Sequence, residues 1–294
     1  MPQAQSNNIS IEYDTFGDRE QPPILLIMGL GAQMIHWDVE FCKQLADEGF
    51  YVVRFDNRDV GLTSKMDGQD APELTKLVMD LMTGKTPQVP YSLTDMADDA
   101  IGLLDVLGIQ QAHICGASMG GMIAQLVACN YPERALSLTS IMSTTGNPNL
   151  PKSTAEAQEA LSAPRPNTED EVVQRAHQNS SILGSSGFDK DLDHIANRAL
   201  EAFRRNFNPA GFARQVAAIV VDGDRRDRLQ KLNLPTLVIH GTTDPLVPVQ
   251  GGIDTHENIP KSKLELIEGM GHDLPKGAWD KIILEISAMA LAEA

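Results

Sequence analysis

Six short runs rich in aliphatic and β-branched residues, ending near Met28, Phe55, Cys115, Ile141, Ile239 and Ile267, alternate with segments whose apolar residues recur at helical spacing. A strand followed each time by a helix returns to its sheet in the parallel sense, so this alternation predicts an α/β fold: a mostly parallel sheet covered by helices on both faces. At 294 residues and 42% hydrophobic content, the chain is long enough for one large core. Ser92-Leu93-Thr94-Asp95 reads as a capping box opening a helix that runs to Leu107, before Gly108. Asp95, Asp98 and Asp99 then lie near the positive end of that helix, a structural role.

One strand-to-helix junction carries chemistry. Ala112 to Cys115 reads as a buried strand, and Met122, Ile123, Leu126, Val127 and Cys129 have the spacing of a helix packed on a sheet. Between them stands Gly116-Ala117-Ser118-Met119-Gly120. A serine on so sharp a turn takes strained backbone angles that lift its hydroxyl clear of the chain, and the positions two before and two after it need small side chains. The helix that follows aims its free amides and dipole at whatever the serine attacks.

A serine hydroxyl needs a base to take its proton and a carboxylate to orient that base. Of seven histidines, His272 stands apart: the strand Lys263 to Ile267 leads into Glu268-Gly269-Met270-Gly271-His272-Asp273, a glycine-flanked loop. The others read as packing or surface residues: His36 at the start of a helix, His113 inside the nucleophile strand, His177 and His194 in a polar helical region, His240 at a strand end, and His256 in a charged loop. The strand Pro235 to His240 runs into Gly241-Thr242-Thr243-Asp244, which places Asp244 just past a strand end; Asp273 is its rival only because it adjoins His272. Ser118, Asp244 and His272 each follow a separate apolar strand, and in an open parallel sheet these carboxyl ends form the ligand-binding edge.

With that order of Ser, Asp and His around a Gly-x-Ser-x-Gly elbow, the chain resembles the α/β-hydrolases over nearly its whole length. Pro23 to Gly31 is similar to the family's oxyanion loop, with Met28-Gly29 where most members have His-Gly. That variant is shared by a subgroup resembling the aclacinomycin methylesterases, which also carry a segment like Arg54-Phe55-Asp56-Asn57-Arg58-Asp59-Val60-Gly61. The resemblance implies an oxyanion hole made of the backbone amides of Leu30 and Met119. It also implies a serine carboxylic ester hydrolase acting on small to medium esters through an acyl-enzyme. Lactonase, thioesterase, carbon–carbon hydrolase and cofactor-free haloperoxidase chemistries use a similar triad and stay open, as does a hydrolase-like receptor that binds a small molecule without turnover. Dehalogenases and epoxide hydrolases usually carry aspartate at the nucleophile position, which Ser118 opposes.

From about Gly146 to Leu232 the strand and helix rhythm breaks, with prolines at 148, 151, 164 and 166. The family places a helical cap there, before the acid-bearing strand, so residues 1–145 and 233–294 are expected to form the core and 146–232 the cap. Its apolar residues, Phe203, Phe207 and Phe212 among them, argue for a packed subdomain that shapes the substrate pocket. Asp56 and Arg58 are read as bracing a loop beneath the active-site edge. No metal-ligand spacing or phosphate loop is present, and Gly29-x-Gly31 lacks the rest of a dinucleotide fingerprint, so neither cofactor nor metal is expected. A net charge of -16 opposes binding to nucleic acid or anionic membranes. Cys42, Cys115 and Cys129 read as reduced core residues, and with no apolar run of membrane-spanning length the expectation is a cytoplasmic protein with no membrane insertion.

Overall fold

The computed structural model describes residues 2–291. Its strands are β1 (Gln3–Ser6), β2 (Ile9–Phe16), β3 (Pro23–Ile27), β4 (Tyr51–Phe55), β5 (Ala112–Ala117), β6 (Ala135–Ile141), β7 (Thr236–Gly241) and β8 (Lys263–Ile267). They pair in the order β1-β2-β4-β3-β5-β6-β7-β8, parallel from β4 onward. The antiparallel β1–β2 hairpin, which pairs β2 against β4, extends this sheet beyond the six strands expected.

Helices are α1 (Val39–Asp47), α2 (Leu74–Met82), α3 (Leu93–Leu107), α4 (Met119–Asn130), α5 (Ala155–Ser162), α6 (Glu169–Ile182), α7 (Leu192–Arg205), α8 (Pro209–Asp222), α9 (Arg226–Leu229), α10 (Gln250–Glu257) and α11 (Trp279–Leu291). Strand side chains alternate between faces, so each strand feeds two apolar layers. Leu25 and Ile27 of β3, with Val53 and Phe55 of β4, pack beneath α3 and α4 through Leu104, Ile123 and Leu126. Their neighbours Ile24, Leu26 and Val52 face the other way, onto Phe41 and Leu45 of α1 and Ile282 and Ile286 of α11. The structure is thus an α/β-hydrolase fold with helices on both sides of a mostly parallel sheet.

Local signals explain several boundaries. The capping box of α3 forms as expected, Asp95 accepting from the Ser92 amide and Ser92 from the Asp95 amide. Gly108 ends α3 at φ +71, a left-handed cap that glycine takes without strain. Two histidines sit differently from expectation. His36 closes a short 3-10 turn, and α1 starts after it because Asp38 caps the Glu40 amide. His256 lies in the last turn of α10, its Nδ1 paired with the Ser262 hydroxyl.

Helices α5 to α9 fill the 146–232 interval between β6 and β7, and Ala218, Leu229 and Leu232 from its later part join the apolar cluster of the sheet. Among the described residues no helix is long and apolar enough to cross a membrane.

Candidate active site

Ser118 is the residue between β5 and α4, at φ +58 and ψ -121, a backbone conformation that a non-glycine residue adopts only when its surroundings force it. The forcing is visible on both sides. A Cβ on Gly116 would sit 2.0 Å from the Gly120 carbonyl oxygen, and one on Gly120 would sit 2.0 Å from that of Ile27. The strand, the turn and the neighbouring β3 therefore close on one another only with glycine at both places. The Ser118 amide donates to Ile141 at 2.9 Å, tying the elbow to the end of β6.

His272 reaches this hydroxyl from the loop after β8, and Asp244 reaches His272 from the loop after β7. His272 Nε2 lies 3.0 Å from Ser118 Oγ, and His272 Nδ1 lies 2.7 Å from Asp244 Oδ2. An ionised carboxylate only accepts, so Nδ1 carries the proton and Nε2 offers its lone pair to the serine hydroxyl. Asp244 Oδ1 accepts the amides of Leu246 and Val247 at 2.9 and 2.8 Å, which fixes the carboxylate in its own turn. Burial pushes the Asp244 carboxyl up, but the His272 imidazole hydrogen-bonded to it and the His240 imidazole beside it outweigh that and hold the group well below the usual carboxylate range. Asp273 points elsewhere, its Oδ1 accepting from the amide and hydroxyl of Ser185.

The loop after β3 lies against the elbow: a Cβ on Gly29 would fall 3.5 Å from Ser118 Oγ. Here Ala32 N–H donates to Gly29 O and Gly31 N–H to Gln215 Oε1. The Leu30 and Met119 amides donate to no acceptor among the described residues, while the neighbouring amides of Gly121 and Met122 are spent on Ser118 O. Met119 directly follows Ser118, and Leu30 directly follows Gly29 on the loop that lies against it. Two concavities among the described residues, of about 480 and 360 Å³, open at the opposite edge, beside Thr236 and Lys263 and beside Pro23 and Tyr51, where strands begin.

Several supporting residues were not legible in the sequence. Buried Gln215 bridges Gly31 N–H, at 2.8 Å, and Arg58 C=O, at 2.9 Å. Asn57 donates to Met28 O at 2.8 Å, a contact that holds the loop where other members have histidine. Asp56 accepts the Met34 and Leu62 amides and pairs with Arg205, Arg58 pairs with Asp99, and Asp59 pairs with Arg214. The Arg54 to Gly61 segment is thus a brace, as expected. His240, fully buried, uses Nε2 on Val247 O at 2.8 Å and stands 3.6 Å from Asp244. The His272 loop is clamped by the 146–232 segment, since His272 N–H donates to Leu183 O and Gly187 N–H to Gly269 O. Among the described residues no group of three or more His, Cys, Asp or Glu side chains is arranged to hold a metal ion.

Comparison with known proteins agrees with this architecture. The chain is similar to a rhodomycin D methylesterase from Streptomyces sp. strain C5, 26% identical over 309 residues covering 96% of this chain and 95% of the relative. It is similar to 3-oxoadipate enol-lactonase 2 from Acinetobacter baylyi, 27% identical over 265 residues covering 90% of this chain and 86% of the relative. Its fold matches the crystal structure of the enol-lactonase from Burkholderia xenovorans LB400 with a TM-score of 0.74 at 20% identity, covering 99% of this chain and 100% of that one. The family model described as alpha/beta hydrolase fold matches residues 22–276, and the chain belongs to that family.

Proposed function

We propose that the chain is a serine carboxylic ester hydrolase in which Ser118, His272 and Asp244 form the catalytic triad and the amides of Leu30 and Met119 the oxyanion hole. The observation that carries this reading is the unbroken path Asp244–His272–Ser118, at 2.7 and 3.0 Å, and it is supported by Leu30 and Met119 amides that donate to no acceptor among the described residues. Ser118 Oγ attacks the ester carbonyl while its proton passes to His272 Nε2. The carbonyl oxygen becomes an oxyanion, held by the Leu30 and Met119 N–H groups, and Asp244 stabilises the imidazolium. Collapse breaks the bond to the alcohol, which leaves with the proton from Nε2, and an acyl-Ser118 ester remains. Water then attacks this ester, giving its proton to His272, and the acid departs as Ser118 recovers its own.

The same steps open a lactone, which is an ester closed on itself, and likeness to an enol-lactonase supports that second reading of the substrate. Residues 146–232 act in this proposal as the cap that walls the pocket, over a core of 1–145 and 233–294. A fluorophosphonate labelling experiment tests the assignment: the adduct is expected on Ser118, with hydrolysis of short methyl esters abolished in Ser118→Ala. An adduct on another residue, or full turnover by Ser118→Ala, overturns it.

A further inference from the structure

Three arginines of the 146–232 segment, Arg165, Arg175 and Arg198, pair with no carboxylate among the described residues; Arg198 still feels the charges of Asp38 and Asp273, whereas the charge acting on Arg165 is that of Arg175. Arg204, Arg205, Arg214 and Arg225 each hold a carboxylate. Arg165, on the connector between α5 and α6, and Arg175, on α6, pair with no carboxylate and donate to no acceptor among the described residues, and the Arg165 Nη2 is buried without a partner. In a chain with 40 acidic and 24 basic side chains, two neighbouring guanidiniums without a counter-ion are not explained by surface statistics. Burial, and then the charge of Arg175, push the Arg165 guanidinium down to about 10. A desolvated cation beside a like charge is unfavourable unless something anionic joins it.

Its position says what joins it. The Arg165 guanidinium carbon stacks 3.5 Å from the centroid of the Phe212 ring. That ring lies on the loop that carries the Leu30 amide: a Cβ on Gly31, at φ +66, would meet Phe212 Cδ2 at 2.6 Å. One turn on, Gln215 holds the Gly31 amide. The uncompensated cation is therefore one ring thickness above the loop that flanks Ser118. A stacked guanidinium keeps its edge N–H groups free, and that planar edge matches a carboxylate in bidentate fashion.

We propose that Arg165, backed by Arg175, is an anion subsite that takes a free carboxylate of the substrate, so that the preferred esters are half-esters or lactones of dicarboxylic acids. This rests on the ester-hydrolase reading above. Monomethyl glutarate and methyl valerate are matched in chain length and differ in the terminal charge, and methanol release from each gives a ratio of kcat/KM. The wild type is expected to favour the half-ester, and Arg165→Met to lower that ratio about 10- to 100-fold, the range for losing one charged hydrogen-bonding partner. Arg175→Gln is expected to lower it less, and added salt to lower it in the wild type. A wild type that favours methyl valerate, or a ratio unmoved by both substitutions, overturns the subsite. Should neither ester be cleaved, the hydrolase reading fails separately, and the subsite is still decided by calorimetry. N-Methylglutaramate, the uncleavable amide counterpart, should then bind the wild type at least tenfold more tightly than Arg165→Met, and equal binding overturns the proposal.

Discussion

Replacing Gln215 with leucine, nearly equal in volume, isolates what the side-chain amide does for the site. Gln215 is fully buried, and its two hydrogen bonds, 2.8 Å from Gly31 N–H and 2.9 Å to Arg58 C=O, leave one donor and one acceptor stranded when it is removed. At about 1–3 kcal/mol for each stranded group, the loss of stability should be about 2–6 kcal/mol. For a chain of this size that lowers the melting temperature by roughly 2–4 °C per kcal/mol. The effect on rate follows from the neighbour: Gly31 adjoins Leu30, whose amide is one of the two proposed oxyanion donors. Losing such a donor outright costs about 10²–10³ in kcat, and displacing it by loosening its loop should cost about 10- to 100-fold with little change in KM. Thermal unfolding and steady-state hydrolysis of methyl valerate read the two effects apart. A variant with a lowered melting temperature and wild-type kcat would show that Gln215 does not hold the oxyanion loop. An unchanged melting temperature would refute the energetic argument itself.

Asp244→Asn should lower kcat by about 10³–10⁴, because the amide no longer compensates the imidazolium and can favour the wrong histidine tautomer. Asp273→Asn, which faces Ser185 and not His272, should be far milder in the same ester assay, and the reverse ranking would displace Asp244 from the triad. Burial holds the His113 imidazole down at about 4, below its ordinary 6.5, so between these values the unfolded chain binds a proton that the folded one refuses. Stability is then complete above about pH 6.5 and falls as pH drops towards 4, by up to about 3 kcal/mol. Urea unfolding at pH 7.5 and 4.5 should show a shallower fall in His113→Asn, and parallel falls would remove His113 from the account. His36, held down at about 3 by burial and by the charges of Arg198 and Arg205, acts in the same direction. Gly116→Ala should destabilise by more than about 3 kcal/mol, since its Cβ would lie 2.0 Å from a backbone oxygen; a soluble variant with wild-type unfolding and labelling would contradict that steric reading.

What was legible in the sequence follows from distance along the chain. Ser118, Asp244 and His272 each sit one turn beyond an apolar strand, so local patterning placed them on the same sheet edge although 154 residues separate the serine from the histidine. The elbow helix was readable because its apolar spacing starts one residue after the serine. Gln215 gave no such signal. It lies mid-helix, 184 residues from Gly31, and a glutamine there looks like any solvated side chain until the fold buries it. Arg214 and Asp59, 155 residues apart, are hidden for the same reason. The β1–β2 hairpin escaped because Gln3–Ser6 is short and polar, and its place in the sheet comes from pairing, not from an apolar run. Among the expected pocket residues, Phe212 packs on Gly31 whereas Phe207 is 44% exposed and leans on Phe203 at 5.4 Å between centroids, so sequence spacing alone did not separate the two roles.

The brace at Arg54 to Gly61 bears on how such enzymes can be recombined. Asp56 and Asp59 are both fully buried, and each is neutralised by an arginine from the far side of the insertion, Arg205 and Arg214, with Asn208 and Gln215 adding bonds to Asp59 O and Arg58 O. A chimera that grafted a foreign segment over 146–232 would leave two buried carboxylates without counter-charges, at about 3–5 kcal/mol for each broken pair. That is comparable to the whole stability of a typical domain. The exchangeable unit is therefore not the contiguous stretch of helices but that stretch together with the short loop after β4, and libraries that shuffle the one without the other should yield mostly unfolded chains.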